Sequence, residues 1–368
     1  MKLIQDVTDL KGKRVLVRTD FNISLGGNNV IDENESLRIR AGLRTLQLLS
    51  DQGAKVVVIS HIGREPDESL RLVAEYINDE LEMSIGFVPE IIGETVDKVI
   101  SELDDGEIVL LENLRSQVAE KENSAKFAEQ LANYADVYVN DAFSVSHRAH
   151  ASLVGIPKLL PSYAGLQLQD EVTNLNLVRD PEHPLVVVMG GAKFGTKLDL
   201  MQQFLPIAEK IIVGGALANR LYKDQGLEIG KSLIDNEGET VELVHNDEVI
   251  LPKNVVTKDA TKLVSEVSAD EQILDVDVSE FSEVIKNAKT ILWNGPMGYY
   301  EGGYKKGTID MARMIAESGA ISIVGGGDTV TVLYDENILD KFTFASMAGG
   351  AMLDYLVHGT LPGLEALN

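Results

Sequence analysis

No cysteine occurs among the 368 residues. A disulfide framework, a thiol nucleophile and a cysteine-ligated metal are therefore excluded. Long apolar runs are also missing. No uncharged stretch approaches the roughly 18 residues that a membrane-spanning helix needs, so no membrane association is expected. The N-terminal Met1-Lys2-Leu3-Ile4-Gln5-Asp6 lacks an apolar signal core, and a cytoplasmic location is the expectation. Positive charge is scarce, with 33 lysines and arginines against 58 aspartates and glutamates. The net charge of −25 would repel a polyanion and argues against nucleic acid as a partner. That scarcity makes each local gathering of basic side chains informative, because an acidic chain that collects them in a few loops is building an anion site.

What is present is an alternation of short apolar strands and amphipathic helices, in a chain long enough for about two domains. In the first half the strand-like runs are Arg14–Arg18, Lys55–Ile59, Ile85–Val88, Glu107–Leu111 and Asp136–Val139. Helix-periodic segments at 39–49, 71–81, 95–103 and 124–134 lie between them, which predicts a parallel sheet covered by helices. Ligands of such sheets bind beyond the carboxyl ends of the strands. The residues there are Arg18-Thr19-Asp20-Phe21-Asn22, with Arg38 nearby, then His61 to Arg64, Glu112 to Arg115, and Asn140-Asp141 followed by His147-Arg148-Ala149-His150. Singly, each has a plain explanation: a helix-face arginine, a solvated loop charge, a turn aspartate. Together they place arginine or histidine at several strand ends on one rim, where arginine's fork suits carboxylate or phosphate oxygens.

Around Gly155–Pro161 the rhythm breaks, and a polar-apolar helix over 166–179 follows, closed by Pro181 and Pro184. The second half opens on Leu185-Val186-Val187-Val188-Met189-Gly190-Gly191-Ala192-Lys193-Phe194-Gly195-Thr196-Lys197. A buried strand stops at paired glycines and a helix begins, which suits close backbone approach to an anion. Lys193 and Lys197 add point charges; a tight turn with surface lysines is the other reading. Further strands end in Gly214-Gly215, in Trp293-Asn294-Gly295-Pro296-Met297-Gly298, in Gly325-Gly326-Gly327-Asp328-Thr329, and in Ser346 to Gly350. Glycine-rich strand ends of this kind suit nucleotide phosphates. Asp328 reads either as a helix cap or as a ligand for Mg2+ on the nucleotide, and Trp293 as core packing.

These pieces, in this order, resemble the phosphoglycerate kinase family over nearly the whole chain. The resemblance implies two Rossmann-like three-layer α/β/α domains with parallel sheets, joined by a long interdomain helix and separated by a cleft. The implied division is 1–165 plus 352–368 for 3-phosphoglycerate, 166–180 for the helix, and 181–351 for the nucleotide. The implied reaction is reversible phosphoryl transfer between 1,3-bisphosphoglycerate with ADP and 3-phosphoglycerate with ATP. By motif, Asp20, Asn22, His61, Arg64, Arg115 and Arg148 would hold 3-phosphoglycerate. Arg38 would reach its carboxyl and the transferring phosphoryl group, and Lys193 would meet that group in the transition state. Lys197 would contact the nucleotide phosphates, with Asn294, Glu301, Asp328 and Thr329 serving the nucleotide and its Mg2+. Gly214, Gly215, Leu233, Pro296 and Met297 would lie near base and ribose, beside Gly325, Gly326 and Gly327. A monomer and a hinge closure, at the 166–179 helix and near Ser346, are further implications.

Several positions depart from the family pattern. Ser346-Met347-Ala348-Gly349-Gly350 stands where Ser-Thr-Gly-Gly-Gly is usual, and no lysine occurs in Gln169-Asp170-Glu171-Val172. Val276-Asp277-Val278 replaces Ile-Gly-Pro, Gly195-Thr196 replaces a Ser/Ala-Asp pair, and Glu65 is inserted before Pro66. The alternative these changes raise is a family-derived binding protein with weak or no turnover. An unrelated dehydrogenase would need a Gly-x-Gly-x-x-Gly fingerprint after the first strand, which is absent.

Overall fold

The structure is a computed structural model that describes residues 1–24, 31, 33–65, 67–193, 195–235 and 240–368, with backbone only at 33, 34, 196, 241 and 242. Phe194, Pro66 and the side chain of Thr196, singled out above, lie outside the described residues.

The apolar runs form the expected strands because their alternate and β-branched side chains are buried from both sides. The first unit has β1 (Arg14–Arg18), β2 (Lys55–Ile59), β3 (Gly86–Val88), β4 (Ile108–Leu111), β5 (Val137–Asn140) and β6 (Ser162–Ala164). They form one parallel sheet in the order β3-β4-β2-β1-β5-β6. Chain direction across the sheet reverses between β1 and β5, where Arg18 pairs in register with Asn140. A crevice at such a reversal is the usual ligand position in an open α/β sheet.

The second unit repeats the plan with β7 (Leu185–Met189), β8 (Lys210–Val213), β9 (Val249–Ile250), β13 (Thr290–Asn294), β14 (Ile321–Gly325) and β15 (Phe344–Ser346). Their order is β15-β14-β13-β7-β8-β9, again all parallel. Here the reversal falls between β7 and β13, whose last residues, Met189 and Asn294, are paired. Every residue of β7 and β13 is buried, as the apolar runs Leu185–Met189 and Ile291–Trp293 at their centres require. Trp293 is fully buried and donates through Nε1 to the Gly295 carbonyl at 2.9 Å, so it is core packing.

A three-stranded antiparallel sheet of β10 (Asn254–Val256), β11 (Thr261–Leu263) and β12 (Asp275–Val276) was not expected. The break near Gly155 is a π-helical turn at Ala151–Gly155 and a 3-10 turn at Ile156–Lys158.

Two compact units result, Met1–Val172 with Thr360–Asn368, and Thr173–Gly359. The Leu166–Arg179 helix is thus divided between them rather than standing apart. Its start is tied to the first unit: Leu166 N donates to Thr45 Oγ1 at 3.0 Å, Leu168 N to Asp141 Oδ1 at 3.1 Å, and Arg44 pairs with Asp170 at 2.6 Å. Its end belongs to the second, where Tyr355 donates to Asn176 Oδ1 at 2.9 Å and the Arg179 guanidinium lies over the Tyr355 ring. The division near the chain end falls between Gly359 and Thr360. The Gly350–His358 helix buries Ala351, Met352 and Leu356 in the second unit, and the remaining residues join the first, with Gly363 N donating to the Ser146 carbonyl at 2.8 Å.

Candidate active site

At the β1/β5 reversal the first unit collects charge. Asp20 follows β1 and accepts from Arg38 at 2.5 Å and from the Ser144 hydroxyl, while its other oxygen accepts from Asn22 N at 3.2 Å. The Asn22 amide oxygen in turn accepts from Gly63 N at 2.8 Å, tying the loop after β1 to the loop after β2. Arg115 donates to the Gly63 carbonyl at 2.5 Å. Asn113, fully buried, ties the loop after β2 to the loop after β4 by accepting from Ile62 N and Arg115 N and donating to the Ile62 and Glu68 carbonyls. Arg148, next to His147 at 3.2 Å, joins from the loop after β5. Arg64 shares the His61 loop with its side chain exposed, and its backbone N–H donates to Glu68.

The groups act on one another electrostatically. Burial opposes charge on Asp20, yet the Arg38 guanidinium, with the Ser144 hydroxyl, outweighs it and holds the carboxyl well below the usual carboxylate range. Burial, then Arg148 and Arg18, bring Arg115 down to about 10. Burial followed by Arg18 also pushes His61 well below its ordinary value, with Arg115 and Arg148 adding to the effect. Mutually repelling cations packed at one strand-end crevice are stabilised by an anion that bridges them.

In the second unit a cavity of about 850 Å3 opens at the β7/β13 reversal. Its floor is backbone from Gly191, Gly215, Gly295 and Gly326, and Lys193, Lys197, Asp328 and Thr329 line it. Pro296, Met297, Leu233 and Tyr299 supply apolar surface, with Asn294 and Glu301 as polar groups. Lys197 is almost fully buried and donates to the Gly190 carbonyl. Burial lowers it to about 8; Asp328 opposes that shift and Lys193 adds to it. Asp328 sits in the first turn of the Gly327–Asp335 helix, whose cap is Gly326, so it is not itself the cap.

Glycine is needed where the loops after β7 and β13 approach each other. A Cβ on Gly190 would lie 2.6 Å from the Gly295 carbonyl oxygen and still closer to that of Pro296, and one on Gly295 would meet Lys197 Nζ at 2.5 Å. Gly190→Ala is therefore expected to destabilise the second unit by about 1–3 kcal/mol, the scale of overpacking. Urea unfolding checks this, and an unchanged midpoint would show that the two loops are free to separate.

A family model described as phosphoglycerate kinase matches residues 4–358. The phosphoglycerate kinase of Coprothermobacter proteolyticus is 37% identical over 391 aligned positions, covering 100% of this chain and 98% of its own. That of Zymomonas mobilis is 38% identical over 395 positions, covering 100% and 99%. The chain belongs to the phosphoglycerate kinase family. Solved structures agree. The phosphoglycerate kinase of Coxiella burnetii superposes with a TM-score of 0.85 at 32% identity, over 99% of this chain and 98% of that one. That of Pyrococcus horikoshii gives 0.88 at 26%, over 100% and 98%. As a phosphoglycerate kinase family member the chain is an enzyme, a kinase whose acceptor is a carboxyl group.

Within this family frame, three glycines expected at the nucleotide do not line the cavity. A Cβ on Gly214 would strike Met297, and one on Gly325 would strike Met352, so both positions admit close packing of a methionine. Gly327 faces open space at the start of its helix. Residues that sequence reading passed over include Asn219 and the Gln272–Val276 wall of the cavity. Arg18 was noted only as a strand end, yet it lies buried in the first unit's cluster.

Proposed function

We propose that this chain catalyses reversible phosphoryl transfer between 1,3-bisphosphoglycerate with ADP and 3-phosphoglycerate with ATP. The observation that carries the reading is the cationic crevice at the β1/β5 reversal of a chain whose net charge is −25. Such a crevice suits a small substrate with both a phosphate and a carboxylate. We assign Arg115, Arg148, Arg64 and His61 to its phosphate, Asp20 and Asn22 to its hydroxyl-bearing backbone, and Arg38 to its carboxyl end.

The acceptor carboxylate is ionised at neutral pH, so the reaction needs no general base. One carboxylate oxygen forms a bond to the γ-phosphorus of ATP while the bond to the β-bridging oxygen breaks. The protein's work is then positioning and stabilisation of spread negative charge. Lys197 holds nucleotide phosphates above the glycine floor, and Lys193 meets the transferring group.

Among the described residues no three His, Cys, Asp or Glu side chains converge on a metal position. Asp328, Glu301 and Asp275 are the carboxylates that line the cavity. That suits Mg2+, which binds through one or two carboxylates and substrate phosphates, and we assign Asp328 to it. When bound, Mg2+ would neutralise phosphate charge. A cytoplasmic monomer completes the reading, and sedimentation checks the oligomeric state.

Lys197 gives the nucleotide site a pH dependence. Its ammonium titrates at about 8 in the free site, and a bound polyphosphate favours the charged form. Nucleotide affinity is therefore expected to fall as pH rises through about 8, and calorimetric titration of ADP measures it. A flat profile from pH ~7 to ~9 would remove Lys197 from the phosphates.

A coupled assay with ATP, Mg2+ and 3-phosphoglycerate tests the proposal. Turnover supports it; binding of both ligands without phosphoryl transfer would support the weak-turnover alternative, which no feature of the site favours.

A further inference from the structure

Beneath the phosphate-binding crevice lies a polar cluster that no step above uses. Arg18, at the end of β1, is 1% exposed. Its Nε donates to the Ser152 hydroxyl at 3.2 Å, one terminal nitrogen donates to the Thr19 carbonyl, and the other lies 3.0 Å from His61 Nδ1. Ser152 relays the contact, since its hydroxyl donates to Glu120 Oε1 at 2.6 Å and its N–H to Glu120 Oε2 at 2.9 Å. Glu120 is equally buried, so a carboxylate held through a serine lies close enough to Arg18 to favour its charged form.

A guanidinium has only donors. Its contact with Nδ1 therefore requires Nδ1 to be the acceptor, and the imidazole proton to sit on Nε2. That atom, on the other side of the ring, is buried and has no hydrogen-bond partner among the described residues. An unpaired buried N–H is costly, and an arriving oxyanion relieves the cost.

We infer that Arg18 is a positioning residue that fixes His61 as a neutral imidazole with its proton on Nε2, making His61 a one-proton donor to the substrate phosphate rather than a cation. The inference rests on the function proposed above for the crevice. The groups that face His61 are Arg18 from β1, Asp20 from the loop after it, Arg115 from the loop after β4 and Arg148 from the loop after β5. Three of these four are cations, which disfavour a charged imidazole and agree with the direction set by burial. In the family reading the crevice then has arginines for charge and His61 for direction. Glu120, linked to Arg18 through the Ser152 hydroxyl, favours the charged guanidinium.

The test is nitrogen-15 NMR of the full chain with labelled histidine, the His61 signals being identified by their loss in His61→Asn. The wild type is expected to show a pyridine-like Nδ1 and a protonated Nε2, without titration from about pH 5.5 to about 8. In the double variant Arg18→Met/Glu120→Gln, which removes the cation and anion together, His61 should titrate nearer its ordinary value. The KM for 3-phosphoglycerate should then rise about 10- to 100-fold, the scale of a hydrogen bond to a charged group, with the KM for ATP within about twofold. Should that variant fail to fold, Arg18→Gln/Glu120→Gln, which also removes both charges and the donor-only group but keeps a polar side chain, is read in the same way. A wild-type His61 protonated on Nδ1, or an unchanged spectrum and KM in the variant, would overturn the inference. The wild-type tautomer is read without ligand, so a chain that binds no 3-phosphoglycerate would contradict the proposed function and leave this result standing.

Discussion

Lys193→Ala is expected to lower kcat about 100- to 1,000-fold, the loss seen when one preorganised donor to a developing charge is removed. The transferring phosphoryl group carries its greatest separation from both oxygens in the transition state, so a cation beside it acts there more than in the ground state. Lys193 follows the Gly190-Gly191 end of β7, lines the cavity and is exposed, whereas Lys197 is buried against the Gly190 carbonyl. The two lysines therefore have separable duties. Removing Lys193 should leave the KM for ATP within a few-fold and the unfolding midpoint nearly unchanged, because the side chain is exposed. Initial-rate kinetics and urea unfolding decide it. A variant with near wild-type kcat would show that the transition-state charge is met elsewhere.

Arg38→Ala carries the second large effect, a fall of about 100-fold or more in kcat/KM for 3-phosphoglycerate. Arg38 sits on the helix after β1, paired with Asp20, and that carboxylate orients the guanidinium. Arg38→Lys is expected to rescue poorly, since an ammonium cannot reproduce the planar fork. The same variant has a stability signature. Asp20 is held below its unfolded value of 3.8. Its carboxylate therefore contributes stability above that pH, lost as pH falls through the folded value. Without Arg38 the depression shrinks, so wild type and variant should differ in stability near neutrality and converge in acid. Melting curves across that range measure the difference; equal curves at neutral pH would mean that the Asp20–Arg38 pair contributes nothing.

Much of this was legible in the sequence where one local cause dominates. Runs such as Leu185–Met189 can only be buried parallel strands, and the polar residues after them must stand on the ligand-bearing rim. Hence Asp20, His61, Arg115 and Arg148 could be grouped before any coordinates. What was not legible depends on contacts distant in sequence. Arg18 read as a strand terminus because its partners, Glu120 and Ser152, lie in a short helix and a π-helical turn more than a hundred residues away. The β10–β12 sheet rests on strands of two or three residues, too short for any periodicity. Gly214 and Gly325 announced close approach, but glycine does not say what approaches; here it is methionine. The end of the second unit at Gly359 is set by the buried face of the Gly350–His358 helix, which equally suited either unit by composition.

Crystals soaked with 3-phosphoglycerate test the central claim most directly. The account predicts phosphate density within ~3 Å of Arg115, Arg148 and His61 Nε2, with the carboxylate toward Arg38. Density elsewhere, or a phosphate that leaves those side chains untouched at saturating ligand, would contradict it.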